Sequence, residues 1–254
     1  MAPAVVSDLE PSLTGVPESP ETPAPVPPTF KQFSLEGKTI AITGGGRGLG
    51  ITLALAVVEA GGNVACLDIL ESPSADEWAQ LAKLAKASQR AISYHRCDVT
   101  DEGALETVIG AVAQEAERMG APFWGAIACA GIQQQIPALE YPAADFDRIL
   151  RVNVTGVFNT CKHTARMLQA KKRPGSIVII GSMSGNIANR VSLLSYWGNC
   201  PASNGDEQGL SCTAYNSSKA AVQQMCRSVA QEWGQYGIRV NTLSPGVGVL
   251  TNMI

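Results

Sequence analysis

The sequence predicts an α/β protein built on one parallel, doubly wound sheet. From Leu35 onwards, short apolar runs rich in β-branched residues alternate with longer helical segments. Strands joined by helices form parallel sheets with right-handed crossovers. A glycine-rich turn, Thr43 to Gly50, separates the first apolar run from the first helical segment. A chain of 254 residues is long enough to bury one such core, so a single domain is expected.

The first strand and helix flank the glycine-rich turn. Thr39 to Ile42 has the apolar, β-branched composition of a buried strand, and Ile51 to Ala60 is rich in Leu, Ala and Val, as helices are. Glycines there let the backbone approach a pyrophosphate, and the helix N-terminus supplies unpaired N–H groups. A plain tight turn is the alternative. The candidate cofactor residues in this turn are Gly44, Arg47, Gly48, Leu49 and Gly50.

The second predicted strand, Asn63 to Asp68, ends on an acidic residue. A carboxylate at this place accepts hydrogen bonds from the adenosine ribose hydroxyls and repels a 2′-phosphate, so Asp68 favours NAD over NADP. Asp68 could also be a helix-capping residue. Arg47 favours NADP instead, because a basic side chain in the glycine-rich turn can bind a 2′-phosphate. NADP therefore stays the alternative cofactor.

The next elements follow in the same alternation. The sequence predicts a helix over Asp76 to Ser88, a strand over Ala91 to Cys97, a helix over Asp101 to Met119 and a strand over Trp124 to Cys129. Asp98 and Val99 follow the third strand and are candidates for binding the adenine, although Asp98 could equally be an ordinary turn residue.

The second half of the chain continues the pattern. A helix is predicted over Phe146 to Gln169, broken near the Asn153 to Gly156 segment. After it come a strand (Ser176 to Gly181), a helix (Tyr215 to Tyr236) and a sixth strand (Ile238 to Leu243). In such a fold the cofactor lies over the carboxyl ends of the strands.

Tyr215 and Lys219 stand four residues apart, so they share one face of their helix. A phenol with a pKa of about 10 is a poor acid or base near neutrality, and a neighbouring ammonium group lowers that pKa. The pair alone is a weak signal. Together with the glycine-rich turn, Asp68 and a serine after the fifth strand, it becomes a strong signal.

Composition excludes several other classes of function. A net charge of −3 gives no reason to expect nucleic acid or a membrane surface as a partner. Seven scattered cysteines and two histidines without ligand partners predict reduced thiols, no metal site and a cytoplasmic location. Residues 1–33 contain eight prolines and four acidic residues, which predicts a disordered acidic tail ahead of a domain over 34–254.

From about Phe33 to Gly246 the chain resembles the short-chain dehydrogenase/reductase family, whose fold is of the Rossmann type. Within that family it looks most like fungal polyol and sugar reductases of the sorbose reductase and mannitol dehydrogenase kind. The resemblance rests on matching residues: the Thr43 to Gly50 turn, Asp98, Ala130, Gly131, Asn153, Ser182, Tyr215, Lys219, Pro245 and Gly246.

The resemblance implies a role for each catalytic candidate. Tyr215 would be the general acid or base, and Ser182 would hydrogen-bond the substrate oxygen. Lys219 would hold the nicotinamide ribose and tune Tyr215, while Asn153 would anchor a water that leads protons to Lys219. The cofactor would also meet Ala130, Gly131, Pro245 and Gly246. The substrate would be a small alcohol or carbonyl compound, and a homodimer would form through the helices around 155–170 and 215–235.

Two features depart from the family pattern. Ser182 and Tyr215 are 33 positions apart instead of about a dozen, with the excess in 191–208, and the chain stops shortly after Gly246, where the family continues to a further helix and strand. Codons for Val191 and Gln208 could spell splice signals, so retained intron sequence is one hypothesis and a genuine active-site loop the other. A catalytically silent relic or mis-spliced product is therefore the alternative to an active enzyme.

Overall fold

The computed structural model describes residues 29–188 and 211–246. It divides the chain into two units, Met1–Phe33 and Ser34–Ile254. The described part of the first unit forms a short helix, α1 (Thr29–Gln32). Residues 1–28 of the predicted tail, the predicted insert 191–208 and residues 247–254 lie outside the described residues, so those predictions remain predictions.

The second unit is built on a parallel sheet whose strands lie in the order β3-β2-β1-β4-β5-β6. The strands are β1 (Thr39–Thr43), β2 (Asn63–Asp68), β3 (Ile92–Arg96), β4 (Phe123–Ala128), β5 (Gly175–Ile180) and β6 (Ile238–Leu243). The strand order reverses at β1, which pairs with β2 on one side and with β4 on the other. The predicted doubly wound parallel sheet is confirmed.

Helices cover both faces of the sheet. They are α2 (Leu49–Glu59), α3 (Ala75–Ser88), α4 (Glu102–Arg118), α5 (Ala143–Leu150), α6 (Val157–Ala170) and α7 (Thr213–Trp233). Successive β1 side chains point to opposite faces. Ile40 and Ile42 therefore pack in the core shared with α2 and α3, while Ala41 packs in the core shared with α4. A third apolar cluster joins α6 and α7 to β5 and β6.

A π-helical stretch, Arg151–Gly156, links α5 to α6, with no loop between the three helical elements. The break predicted near Asn153 is therefore wrong: the chain stays helical there, and only its winding changes from α to π. Gly156 is pressed against Val99, since a Cβ added there would lie 2.6 Å from Val99 Cγ2. Single π turns inside α-helices often occur at functional sites, and this one brings Asn153 to the carboxyl end of the sheet.

In the ranges that the structure describes, all six cysteines are free thiols. None of the helices described there is both long and apolar enough to span a bilayer.

Candidate active site

A cleft of about 500 Å³ opens beside the point where the strand order reverses. Ten of the predicted cofactor residues line it: Gly44, Arg47, Gly48, Leu49, Gly50, Asp68, Asp98, Val99, Ala130 and Gly131. In open α/β sheets, ligands bind in the crevice at this switch point. The structure thus brings one half of the predicted site together in a single cavity.

The glycine-rich turn is packed too tightly to carry side chains at four of its glycines, Gly44, Gly45, Gly46 and Gly50. A Cβ on Gly44, where φ is +68°, would lie 2.8 Å from the backbone N and Cα of Ala130. A Cβ on Gly50 would lie 1.9 Å from the carbonyl oxygen of Gly44. Gly48, with φ of 57°, is the N-cap of α2, so the helix begins at Leu49, and its first residues line the cleft.

Asp68 holds the glycine-rich turn from the end of β2. Its Oδ2 atom accepts a hydrogen bond from the Gly46 N–H at 2.8 Å, and its Oδ1 atom accepts one from the Leu70 N–H at 3.2 Å. A Cβ on Gly46 would lie 2.8 Å from this carboxylate. Asp68 is therefore fixed at the cleft wall, while Arg47 lies exposed on the turn beside it.

Glu77 is a second carboxylate at this turn, and sequence reasoning missed it. Its Oε1 atom accepts a hydrogen bond from the Gly48 N–H at 3.1 Å. Ser74 and Glu77 have the spacing of a capping box, which would keep Glu77 within its own helix α3. Instead the Ser74 N–H donates to the Gly46 carbonyl at 2.8 Å and Glu77 reaches across to α2.

Asp98 forms a local turn at the cleft wall. Its Oδ1 atom accepts hydrogen bonds from both the N–H and the hydroxyl of Thr100, each at 2.8 Å. Of the two interpretations left open by the sequence, the turn role is therefore present. Binding of adenine by Asp98 and Val99 remains a prediction, for which their position in the cleft is the support.

Ser182 and Tyr215 meet although 33 positions separate them in the sequence. The Ser182 side chain hydrogen-bonds Tyr215, and it also accepts a bond from the Ser184 N–H at 3.2 Å. The loop that carries Ser182 lies directly on α7, because a Cβ on Gly185 would be 2.8 Å from the backbone carbon of Lys219. Their wide spacing therefore does not separate the two predicted catalytic side chains.

Lys219 is buried beneath Tyr215, with 4% of its surface exposed. Its Nζ atom donates to the Ile180 carbonyl at 2.7 Å and lies 5.5 Å from the centroid of the Tyr215 ring. Burial lowers the pKa of Lys219 to about 8. A partly neutral lysine amine at the end of β5 suits proton exchange near neutral pH.

The pKa of Tyr215 differs from the sequence-based expectation. Burial raises this pKa above its ordinary value, and the hydrogen bond from Ser182 offsets only part of that rise. The predicted lowering by Lys219 is wrong for this structure. The physical reason is that desolvation disfavours the phenolate, while the lysine amine faces Ile180 and has a lowered pKa of its own.

Asn153, in the π-helical stretch, hydrogen-bonds residues of two other segments, Ile132 and Ser218. Its Oδ1 atom accepts from the Ile132 N–H at 2.8 Å, and its Nδ2 atom donates to the Ile132 carbonyl at 2.9 Å and to Ser218 Oγ at 3.0 Å. Gly131 lies between Asn153 and Lys219, since a Cβ added there would be 3.4 Å from Asn153 Oδ1 and 3.8 Å from Lys219 Nζ. Asn153 and the Lys219 amine thus both approach Gly131.

Pro245 and Gly246 lie beside the Ser182 loop. The Met183 N–H donates to the Pro245 carbonyl at 3.2 Å, and a Cβ on Gly246 would be 3.8 Å from Met183 Sδ. The structure therefore places the predicted residues in two adjoining groups: one lines the cleft, and the other comprises Asn153, Ser182, Tyr215, Lys219, Pro245 and Gly246. Gly131 belongs to the first group and touches the second.

The residues present fit a dinucleotide. Glycines let the turn pack closely on the end of β4 and on itself beside the cleft, α2 begins without a side chain of its N-cap residue on its first N–H groups, and a carboxylate stands at the end of β2. Among the residues with described positions, no group of three His, Cys, Asp or Glu side chains could hold a metal ion.

Comparison with known protein families gives two matches. A family model described as short chain dehydrogenase matches residues 38–196, and one described as enoyl-(acyl carrier protein) reductase matches residues 202–253.

Three curated relatives are similar over most of the chain. The chain is 40% identical to short chain dehydrogenases/reductase notP′ of Aspergillus versicolor, over 84% of this chain and 68% of the relative. It is 34% identical to the ribulose-forming D-arabinitol 2-dehydrogenase of Candida tropicalis, over 84% and 71%. It is 36% identical to the galactitol 2-dehydrogenase of Rhizobium johnstonii, over 85% and 73%.

Two solved structures show the same fold. NADPH-dependent 3-quinuclidinone reductase from Rhodotorula rubra is 33% identical with a TM-score of 0.73, over 93% of this chain and 79% of that one. NAD+-bound xylitol dehydrogenase is 27% identical with a TM-score of 0.66, over 84% and 71%.

Proposed function

Because this chain belongs to the short-chain dehydrogenase family of nicotinamide-dependent oxidoreductases, we propose that it interconverts a secondary alcohol of a polyol or sugar and the corresponding ketone, with NAD as the cofactor. The observation that carries the proposal is the meeting of Ser182, Tyr215 and Lys219 beside the cleft. The comparisons give no support to a silent relic or a mis-spliced product.

The roles follow from the contacts. Bound NAD(H) would supply the hydride exchanged with the carbonyl carbon. Ser182 and Tyr215, already hydrogen-bonded to each other, would both face the substrate oxygen. Tyr215 would give its phenolic proton to that oxygen during reduction and accept it during oxidation. Its raised pKa keeps the proton on the phenol at neutral pH, which suits the reductive direction.

Lys219 and Asn153 would return the proton. The Lys219 amine, with its pKa near 8, lies under the Tyr215 ring and can exchange a proton close to neutrality. Asn153 approaches Gly131, as this amine does, and is fixed by Ile132 and Ser218. In this proposal Asn153 would hold a water that connects Lys219 with solvent.

A polyol or sugar is proposed as substrate on two grounds. The relatives named for their substrates include dehydrogenases of D-arabinitol and galactitol. The exposed Gln133 side chain also lies near the start of α7, where it donates to Cys212 Sγ at 3.2 Å, three residues before Tyr215. Hydroxyl groups on the substrate would find partners there.

A substrate panel tests the proposal. The purified 254-residue protein would be assayed with NADH and NADPH against ketoses and simple aliphatic ketones, and with NAD and NADP against pentitols and hexitols. Turnover with a ketose or polyol above that with the aliphatic ketones is expected. Absence of turnover with every pair would overturn the proposed function, and a preference for aliphatic ketones would overturn its substrate class.

Cofactor choice gives a first prediction. NADH should bind more tightly than NADPH, because the Asp68 carboxylate repels a 2′-phosphate. Asp68→Asn keeps an oxygen for the Gly46 N–H and removes the charge, so the ratio of the two dissociation constants should shrink by roughly tenfold. Fluorescence titration measures both constants.

The matched control is Asp76→Asn, which removes one charge from the exposed first turn of α3 and should leave the ratio unchanged. Equal affinities for the two cofactors in the unmodified protein would contradict the assignment of NAD.

A homodimer through the helices around 155–170 and 215–235 also remains a proposal. Phe158, a large apolar residue that is 38% exposed on α6, supports it. Sedimentation velocity would distinguish the dimer from a monomer of 26.6 kDa.

A further inference from the structure

Gln223 is a buried polar residue on the same face of α7 as the catalytic pair. It follows Lys219 by four positions and Tyr215 by eight, and 7% of its surface is exposed. Its Nε2 atom donates to the Ser182 carbonyl at 2.9 Å and to Ser244 Oγ at 3.2 Å. One amide group therefore uses both of its N–H bonds on two different loops.

Those two loops meet over the Gln223 amide. The Gly181 N–H donates to the Leu243 carbonyl at 2.8 Å, and the Met183 N–H donates to the Pro245 carbonyl at 3.2 Å. A Cβ on Gly185 would lie 2.9 Å from Gln223 Nε2, so the Ser182 loop rests directly on this amide. A shift of the amide would consequently move both loops.

We propose that Gln223 is a positioning residue, which sets the Ser182 hydroxyl for the substrate oxygen and segment 244–246 for the nicotinamide end of the cofactor. This inference rests on the proposed function. A displacement of about 1 Å in a reacting group is enough to lower a rate about 100-fold. A buried carbonyl left without its donor also favours rearrangement of the loop that carries it.

The test is Gln223→Met, which keeps the length and packing of the side chain and removes both N–H donors. The turnover number should fall about 10- to 100-fold, while the dissociation constant of ADP-ribose, which lacks the nicotinamide, should stay unchanged. Gln224→Met is the matched control, because Gln224 is the exposed neighbour, accepts a bond from Arg227, and should keep full turnover.

A second variant separates positioning from mere packing. Gln223→Glu cannot donate while it is ionised and regains one donor when it is protonated, and burial raises the pKa of a carboxyl group. Its turnover number relative to wild type should therefore rise several-fold as pH is lowered, whereas the ratio for Gln223→Met should not depend on pH.

Three results would overturn the inference. The first is a turnover number for Gln223→Met within twofold of that for Gln224→Met. The second is a fall in the turnover number of Gln223→Met that matches its fraction of unfolded protein by circular dichroism, together with a pH profile of turnover for Gln223→Glu that is identical to that of wild type. An inactive wild-type protein would overturn the proposed function itself, and this inference with it.

Discussion

Tyr215→Phe should lower the turnover number by two or more orders of magnitude and leave cofactor affinity nearly unchanged. The variant keeps the aromatic ring above Lys219 but removes the hydroxyl that hydrogen-bonds Ser182. Proton transfer by a positioned side chain typically contributes 10²- to 10⁴-fold to a rate. Steady-state assays of ketone reduction measure the first quantity, and titration of NADH fluorescence measures the second.

Tyr236→Phe is the matched control, since it deletes one hydroxyl from a tyrosine that is 43% exposed at the end of the α7 region. The pH profile adds a second readout. Because burial raises the pKa of Tyr215, alcohol oxidation by the wild type should accelerate as pH rises into the alkaline range. A variant that retained more than a tenth of wild-type turnover would show that another group is the acid.

Local patterns were sufficient to predict the strands and the glycine-rich turn. Apolar runs such as Asn63–Asp68 coincide with the observed strand, because a strand buried on both faces needs a continuous apolar sequence. The turn could be predicted because it needs glycine: no Cβ fits at Gly44 or Gly50. At Asn153 to Gly156 the sequence predicts a break, whereas the structure keeps the chain helical with π winding.

Long-range polar contacts were not predictable in the same way. Glu77 hydrogen-bonds Gly48 across 29 positions and Gln223 hydrogen-bonds Ser182 across 41, and neither residue type signals such a partner. The direction of the Tyr215 pKa shift was also not predictable from the sequence. Residue spacing indicates which charges are neighbours, whereas the degree of burial, which decides the sign of this shift, depends on the packing of the whole chain.

Lys219→Met should abolish most of the turnover and at the same time raise the melting temperature at pH 7. The Lys219 amine is 4% exposed, and its pKa falls from 10.5 in the unfolded chain to about 8 in the folded protein. Because the folded-state pKa lies below the unfolded value, burying the protonated lysine lowers the free energy of unfolding by roughly 3 kcal/mol at pH 7. Methionine has a similar length and carries no charge, so that cost disappears. The hydrogen bond to the Ile180 carbonyl, worth about 1 kcal/mol, is lost as well.

The sign of the pH dependence makes this prediction distinctive. Between pH 8 and pH 10.5 the unfolded chain holds the Lys219 proton and the folded protein has released it, so wild-type stability should rise with pH across this window. The variant lacks this group, and its advantage in melting temperature should therefore shrink from pH 7 towards pH 10. Scanning calorimetry of both proteins measures the difference in melting temperature.

Lys83→Met is the matched control: it removes an exposed lysine from α3 and should show no pH-dependent difference in melting temperature from wild type. A melting temperature for Lys219→Met that lies below wild type at pH 7 and is parallel to it at every pH would mean that Lys219 is folded without a desolvation cost, and would remove the physical basis for its role as a proton carrier near neutrality.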